Sequence, residues 1–378
     1  LGCLRFFFAA LWFLLSGGAS QAQYYVAGDA TLSALLNGQA VPANVWDASI
    51  KISVAGEPPC SGTVINNHGD ILTSMHCVLW CLENSPAVAL AKLNPPNWPS
   101  EAALHDVFPD AFPISCRGQF RRRGGLLYTD TDQVEIQILA TGPGYMPWTD
   151  SPTTDKEALV NLALQAPTAY KTAILNGYLG PSARLDYALL HVDDLEPSKS
   201  AMTTACLKTS FVPPLTGTAT RTVAWPKRTL HQRPEQRPNS DGYHQVISLG
   251  EVLDLKHSHS LLVQTALTHP TDLKVIEGSD EKYPAYALYV SGLFLDPQVL
   301  LTTDAANWGS SGAGVLNANF EEIAIEHGPN DDRINPEDAN VDFMATQLSE
   351  VRKDLATRLH WSEDKVRAEF DCQTEKGK

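Results

Sequence analysis

Short β-favouring runs, each cut off by Gly, Pro, Asn or Asp, recur along most of this chain. They read DASIKISV, SGTVINNHGDILTS, DQVEIQILATG (132–142), ARLDYALLHV (183–192), GTATRTVAW, HQVISLGEVLDL, HSLLVQTAL, YALYVSGLFL, QVLLTT and EEIAIEH. Strands this short, spaced by turn residues rather than helices, argue against βαβ units and predict an all-β barrel or sandwich. Two stretches depart from the pattern. TTDKEALVNLALQAP (153–167) has helical spacing and ends at a proline. In NPEDANVDFMATQLSEVRKDLATRL, Val341, Met344, Leu348, Val351 and Leu355 share one helical face, which predicts a C-terminal helix on the β body; WSEDKVRAEF continues it or adds another turn.

The chain has 378 residues and a formal charge of -15. An acidic protein without a basic stripe is a poor match for a phosphate backbone, so nucleic acid is not an expected partner. KRTLHQRPEQR (227–237) is basic but short, and reads as an exposed loop. No Walker A or G-x-G-x-x-G pattern occurs, so no nucleotide cofactor is implied. Residues 1–22 carry an early arginine, an apolar run (Phe6–Leu15) and a small-x-small site at Ser20-Gln21-Ala22. That is the pattern of a secretory signal peptide, and it predicts a secreted or periplasmic protein with no stable membrane span after processing; a retained anchor is the alternative. Outside this segment lie six cysteines, Cys60, Cys77, Cys81, Cys116, Cys206 and Cys372, an even count that suits disulfides in an exported chain. Cys77 and Cys81 are spaced for zinc beside His76, but no second close pair follows and no metal is expected.

CSGTVINNHGDILTSMHCV (60–78) reads as a strand, a tight turn and a strand, with a cysteine near each end. If Cys60 and Cys77 bond, they staple this hairpin and fix His76. A histidine held there can act as a general base, since its ordinary pKa is roughly 6.5. The plain alternative is a histidine beside a structural disulfide. Asp186 opens the apolar run ARLDYALLHV, where an unpaired carboxylate is costly and a partner N–H is expected. An imidazole can supply one; a capping or strand-edge aspartate is the alternative.

NWGSSGAG (307–314) has two adjacent serines among glycines. The stretch resembles the nucleophile turn of chymotrypsin-like peptidases, G-x-S-G-[GSA], and on that resemblance only Ser311 fits, with Gly309 before it and Gly312 after. The N–H groups of Gly309 and Ser311 are then the candidate oxyanion donors. An α/β-hydrolase elbow, G-x-S-x-G, fails at both serines, because residue 313 is alanine and residue 308 is tryptophan.

These segments together resemble chymotrypsin-fold serine peptidases. ILTSMHC is similar to the family's histidine segment, with Ser74 and Met75 in place of two alanines. DYALL is similar to its aspartate segment, and GSSGA to its nucleophile turn. LLTTDAANWGSSGAGVLNANFEEIAIEHG (300–328) most resembles the secreted bacterial glutamyl-endopeptidase-like group. The resemblance covers about 46–345. It implies two six-stranded antiparallel β-barrels, with inserted loops, an inserted helix and a C-terminal helix. The first would span 46–200, carry His76 and Asp186, and hold insertions at 84–127 and 143–182. The second would span 201–345 and carry Ser311. Residues 23–45 would be an extension or propeptide, and 346–378 a helical segment. The implied function is a cofactor-independent serine endopeptidase, working on protein or peptide substrates through an acyl-enzyme, with Ser311 as nucleophile, His76 as base and Asp186 as its orienting acid. An inactive barrel used for binding, and a serine hydrolase acting on esters, are the competing readings. Asp304, Ala305, Glu326 and His327 fall on the implied substrate pocket. Ala305 stands where trypsin-like relatives carry an acid, and Glu326 where glutamate-specific ones carry histidine. The expectation is a preference for basic or small residues.

Overall fold

The computed structural model describes residues 24–54, 59–78, 81–82, 113–122, 125–126, 134–142, 185–192, 205–226, 245–253, 299–304, 309–326, 343–357 and 359–372. The leader and the 153–167 stretch lie outside these residues.

The first body contains β2 (Ser49–Val54), β3 (Cys60–Val64), β4 (Asp70–Thr73), β5 (Ile114–Arg122), β6 (Gly125–Leu126), β7 (Val134–Thr141) and β8 (Ala188–His191). Its order is β2-β3-β4-β8-β7-β5-β6, and β2 also pairs with β5. That second pairing closes six antiparallel strands into a barrel, with β6 appended to β5. Alternation drives the build. In β7, Val134, Ile136, Ile138 and Ala140 are buried while Glu135 is exposed, so one face packs inward and the other meets solvent. β5 falls inside 84–127, the stretch read as an insertion, most of which lies outside the described residues. The β5 residues form a barrel strand, paired on one side with β2 and on the other with β7; Ile114, Gly118 and Phe120 are buried, and the glycine in that inward set weakens the apolar signal.

The second sheet contains β1 (Tyr24–Tyr25), β9 (Ala219–Ala224), β10 (Val246–Glu251), β11 (Val299–Thr302), β12 (Gly314–Leu316), β13 (Glu322–Glu326) and β14 (Phe343–Gln347), in the order β1-β10-β9-β12-β13-β14-β11. The expectation of two closed barrels does not hold among the described residues. Only one barrel is closed. Just past β10, Val252 meets Thr302 of β11 at a single bridge, where closure would need a ladder. Two runs read as strands, HSLLVQTAL and YALYVSGLFL, fall between these edges and lie outside the described residues.

The sheets share a core. Ile50, Ile52, Val64 and Ile71 of the barrel belong to one buried cluster with Val223, Ile247 and Leu316 of the second sheet. Two short helices join it from the N-terminal side. α1 (Ala30–Leu35) is capped by Asp29, which accepts from the Thr31 N–H, and α2 (Ala43–Ala48) buries Val45 and Trp46. The stretch read as an N-terminal extension is thus built into the body: β1 pairs with β10, and Leu32 and Leu36 are buried.

At the other end, α3 (Leu348–Thr357) and α4 (Glu363–Glu369) bury Leu348, Val351, Leu355 and Val366 against Ile65, Leu72, Tyr187 and Ile325. The predicted helix begins later than its spacing suggested. Residues 343–347 are strand β14, because β11 and β13 pair with it on both sides, so Met344 does not share the helical face. Disulfides link Cys60 to Cys77, Cys81 to Cys116, and Cys206 to Cys372. No helix among the described residues is long and apolar enough to cross a membrane.

Candidate active site

β4 ends at Thr73 and a single 3-10 turn, Met75–Val78, follows at once. Met75 is buried in the shared core, which accommodates its bulk, while the His76 side chain is one-third exposed. The Cys60–Cys77 disulfide ties this turn back to the start of β3. Its two sulfurs and the His76 ring lie within 4.8 Å of one another, but sulfurs bonded to each other are not thiolate ligands for a metal.

Asp186 is far from His76 in sequence and adjacent to it in the barrel. β4 pairs with β8, with Thr73 opposite Ala188, so the residues flanking these strand ends meet. The Asp186 side chain is 1% exposed. Its Oδ2 lies 2.6 Å from His76 Nδ1, and its Oδ1 accepts the His76 backbone N–H at 3.1 Å. With the carboxylate ionised, the proton sits on Nδ1 and Nε2 is left with its lone pair. The next residue, Tyr187, points the other way and donates to Asp354 on α3 at 2.7 Å, which anchors the strand from behind.

The serine turn comes from the second sheet. Gly309 and Gly312 both have positive φ, 94° and 84°. Glycine is needed at 312 for a second reason: a Cβ there would collide with Thr73 Oγ1 and the Ser61 carbonyl oxygen. The turn is docked on β3. The Ser61 N–H donates to the Ser311 carbonyl at 2.8 Å, and the Ser61 hydroxyl donates to the Gly309 carbonyl at 2.6 Å. The Ser311 carbonyl oxygen also lies 3.7 Å from Cys77 Sγ, directly beside His76 in sequence. Ser310 is buried whereas Ser311 is half-buried. The N–H groups of Gly309 and Ser311 donate to no oxygen of another described residue. The Ser311 hydroxyl makes no hydrogen bond to His76 in this structure. His76 and Asp186 are therefore joined directly, and Ser311 is held against the same hairpin through its backbone.

Asp304 and Glu326 are both buried, whereas Ala305 and His327 lie outside the described residues. Burial raises Asp304 to about 6 and pushes Glu326 well above the usual carboxylate range, with the Asp304 charge adding to the latter. Sequence reasoning passed over Ser61 and Ser74. The Ser61 hydroxyl accepts from the Trp225 N–H as well as donating to the turn, and Ser74 donates to the Glu326 carbonyl at 2.9 Å. A serine inside a buried strand signals an internal partner, but nothing local says which.

No protein-family model matches this chain, and no curated protein does. Among solved structures, the inactive form of the Rv3671c protease is 13% identical over 88% of this chain and 96% of its own, with a TM-score of 0.39. A serine-to-alanine mutant of Rv3671c from M. tuberculosis H37Rv, also in an inactive form, is 13% identical over 89% of this chain and 95% of its own, again at 0.39. Likeness at that level carries no argument about chemistry.

Proposed function

We propose that this chain is a serine endopeptidase in which Ser311 is the nucleophile, His76 the general base and Asp186 the group that orients it. The observation that carries the reading is the buried Asp186 carboxylate bonded to both the ring and the backbone of a partly exposed His76. That arrangement puts the ring proton on Nδ1, so Nε2 is the basic nitrogen, on the hairpin to which the Ser311 turn is docked. Serine-to-base hydrogen bonds are commonly long without substrate and tighten when it binds.

In the reaction, Ser311 Oγ bonds to the substrate carbonyl carbon as its proton passes to His76 Nε2. The oxyanion that forms takes hydrogen bonds from the Gly309 and Ser311 N–H groups. The carbon–nitrogen bond then breaks, and the amine leaves with the proton from His76. Water attacks the acyl ester and gives its proton to His76, which returns it to Ser311 as the acid departs. Asp186 stays ionised throughout and stabilises the imidazolium.

A fluorophosphonate probe tests this reading. Folded wild type should be labelled on Ser311, Ser311→Ala should not be, and Ser310→Ala should retain the label. His76→Ala should slow peptide hydrolysis by roughly 10⁴-fold or more. Folded wild type that resists the probe would leave the barrel as a binding scaffold instead.

A further inference from the structure

Asp186 stands just outside the sheet that positions it. β8 begins two residues later, and its first ladder pairs join Ala188 to Thr73 and Thr141. The segment 185–187 is held in other ways. Just past β7, the Gly142 N–H donates to the Tyr187 carbonyl at 2.7 Å, and a Cβ at 142 would collide with the Leu185 carbonyl. A second grip comes from the C-terminal stretch that runs from β14 into α3. Thr346 Oγ1 donates to the Asp186 carbonyl at 3.5 Å, and Asp354 accepts from the Tyr187 hydroxyl at 2.7 Å.

The Tyr187–Asp354 bond lies where packing alone would not ask for it. Tyr187 is 0% exposed and Asp354 8%, and Tyr187 shares a buried apolar cluster with Leu189, Leu348, Val351 and Leu355. A phenylalanine facing a leucine would fill such a place without taking a carboxylate out of water. What the polar pair adds is direction. Apolar contacts tolerate a roll of the chain, whereas a short hydrogen bond between two buried groups does not. Asp186 reaches the His76 hairpin and the next residue, Tyr187, reaches α3, so pinning the phenol fixes the roll of the chain at Asp186. That roll matters because both Asp186 oxygens are in use, Oδ2 at 2.6 Å from His76 Nδ1 and Oδ1 at 3.1 Å from the His76 backbone nitrogen. A small rotation loses one of them.

We infer that Tyr187 and Asp354 are positioning residues for the His76–Asp186 pair: through their buried hydrogen bond, the C-terminal helix α3 sets the direction in which the Asp186 carboxylate meets the His76 ring. The inference rests on the roles proposed above for His76 and Asp186. Neither Tyr187 nor Asp354 touches His76 itself; both act through the backbone of Asp186. The arrangement ties the base to an element that follows the serine turn in the chain, so the imidazole is aimed only once the C-terminal helix has docked on the barrel.

The test uses the full-length protein. Tyr187→Phe removes one hydroxyl and keeps the ring, and Asp354→Leu removes the acceptor. Each should lower kcat by about 10-fold or more with KM unchanged. The acid limb of the kcat/KM profile should move to lower pH, because a carboxylate turned away from the ring stabilises the imidazolium less. Asp354→Asn keeps an oxygen that can accept from Tyr187, and should recover most of what Asp354→Leu loses. A further reading needs no turnover. In protein with isotope-labelled histidine, the low-field proton of His76 Nδ1–H should weaken or move upfield in Tyr187→Phe. His191 Nδ1, 2.6 Å from Asp70 Oδ1 at the other end of the β4–β8 ladder, is the internal reference and should not change. Should a single variant misfold, the Tyr187→Phe, Asp354→Leu pair removes both polar partners together, and should fold while keeping the defect at His76. An unchanged His76 proton, kcat and pH profile in folded variants overturns this inference and leaves the Ser311 assignment standing. Equal changes at His76 and His191 overturn it as well, and assign the bond to barrel stability. Wild type that resists the fluorophosphonate overturns the Ser311 assignment instead, and the His76 proton still decides whether Tyr187 and Asp354 aim the pair.

Discussion

Gly312 carries two constraints at one position. Its φ of 84° is unfavourable for any side chain, and the space a Cβ needs is taken by Thr73 Oγ1 and the Ser61 carbonyl. The left-handed backbone alone costs alanine about 1–2 kcal/mol, before the collision is counted. Gly312→Ala should therefore lower stability by at least about 2 kcal/mol in urea titration and slow Ser311 labelling, because the turn must lift off β3 to make room. Unchanged labelling would mean that Ser311 does not depend on that docking. The two serines of the turn also differ at this scale. Ser310 is buried and Ser311 is half-buried, which is the difference in access that the proposed probe labelling reads out. His76 and Asp186 were each legible from a local motif. Their bond was not, because it joins the ends of two strands paired only in the folded barrel.

Among elements, β13 is the one whose chemistry opposes its place in the fold. Glu322 opens the strand with 0% exposure, beside Gly314 and facing Thr63 across to the barrel. Burial raises its pKa from 4.5 to about 8, offset in part by Thr63. An acid raised in this way favours folding most below 4.5, where both states are protonated. From there to about 8 the unfolded chain ionises while the folded one does not, so stability falls as pH rises. Glu322→Gln cannot ionise. Its stability relative to wild type should climb between pH 4.5 and about 8 and level off above, as followed by thermal denaturation across that range. A difference that does not vary with pH would show that Glu322 is not neutral in the folded protein. The strand itself was legible as EEIAIEH. That its two end carboxylates point inward was not, since alternation assigns charged residues to the solvent face.

Across the whole molecule, long-range ties hold the site's two halves and the C-terminal helices together. Cys206–Cys372 spans 166 residues and Cys81–Cys116 spans 35. Removing a native disulfide typically costs about 2–5 kcal/mol, and on the chain-entropy account the longer loop costs about 1 kcal/mol more. The Cys206→Ser, Cys372→Ser double variant should thus lose more stability in denaturant titration than the Cys81→Ser, Cys116→Ser pair. The reverse order would assign the effect to local packing. The segment bearing Cys206 runs along both bodies: the Leu207 N–H donates to Val64 in the barrel, and the Lys208 carbonyl accepts from Glu322 in the second sheet. Loosening it should therefore disturb the docking of one body on the other as well as the C-terminal end.

What the amino-acid order determined by itself was local. Turn residues and period-two alternation marked strands such as 134–141 and 219–224, glycine spacing marked the Ser311 turn, and the CSGT and MHC segments marked a stapled hairpin. Tertiary structure alone decided the remaining cysteine partners, the closure of the first barrel through the β2–β5 pairing, the contact of His76 with Asp186, and the inward turn of Asp304, Glu322 and Glu326. The division has a physical cause. Backbone conformation and side-chain alternation depend on neighbours in the chain, whereas burial and pairing depend on which strands lie side by side, and strand order is set by the packing of the whole core.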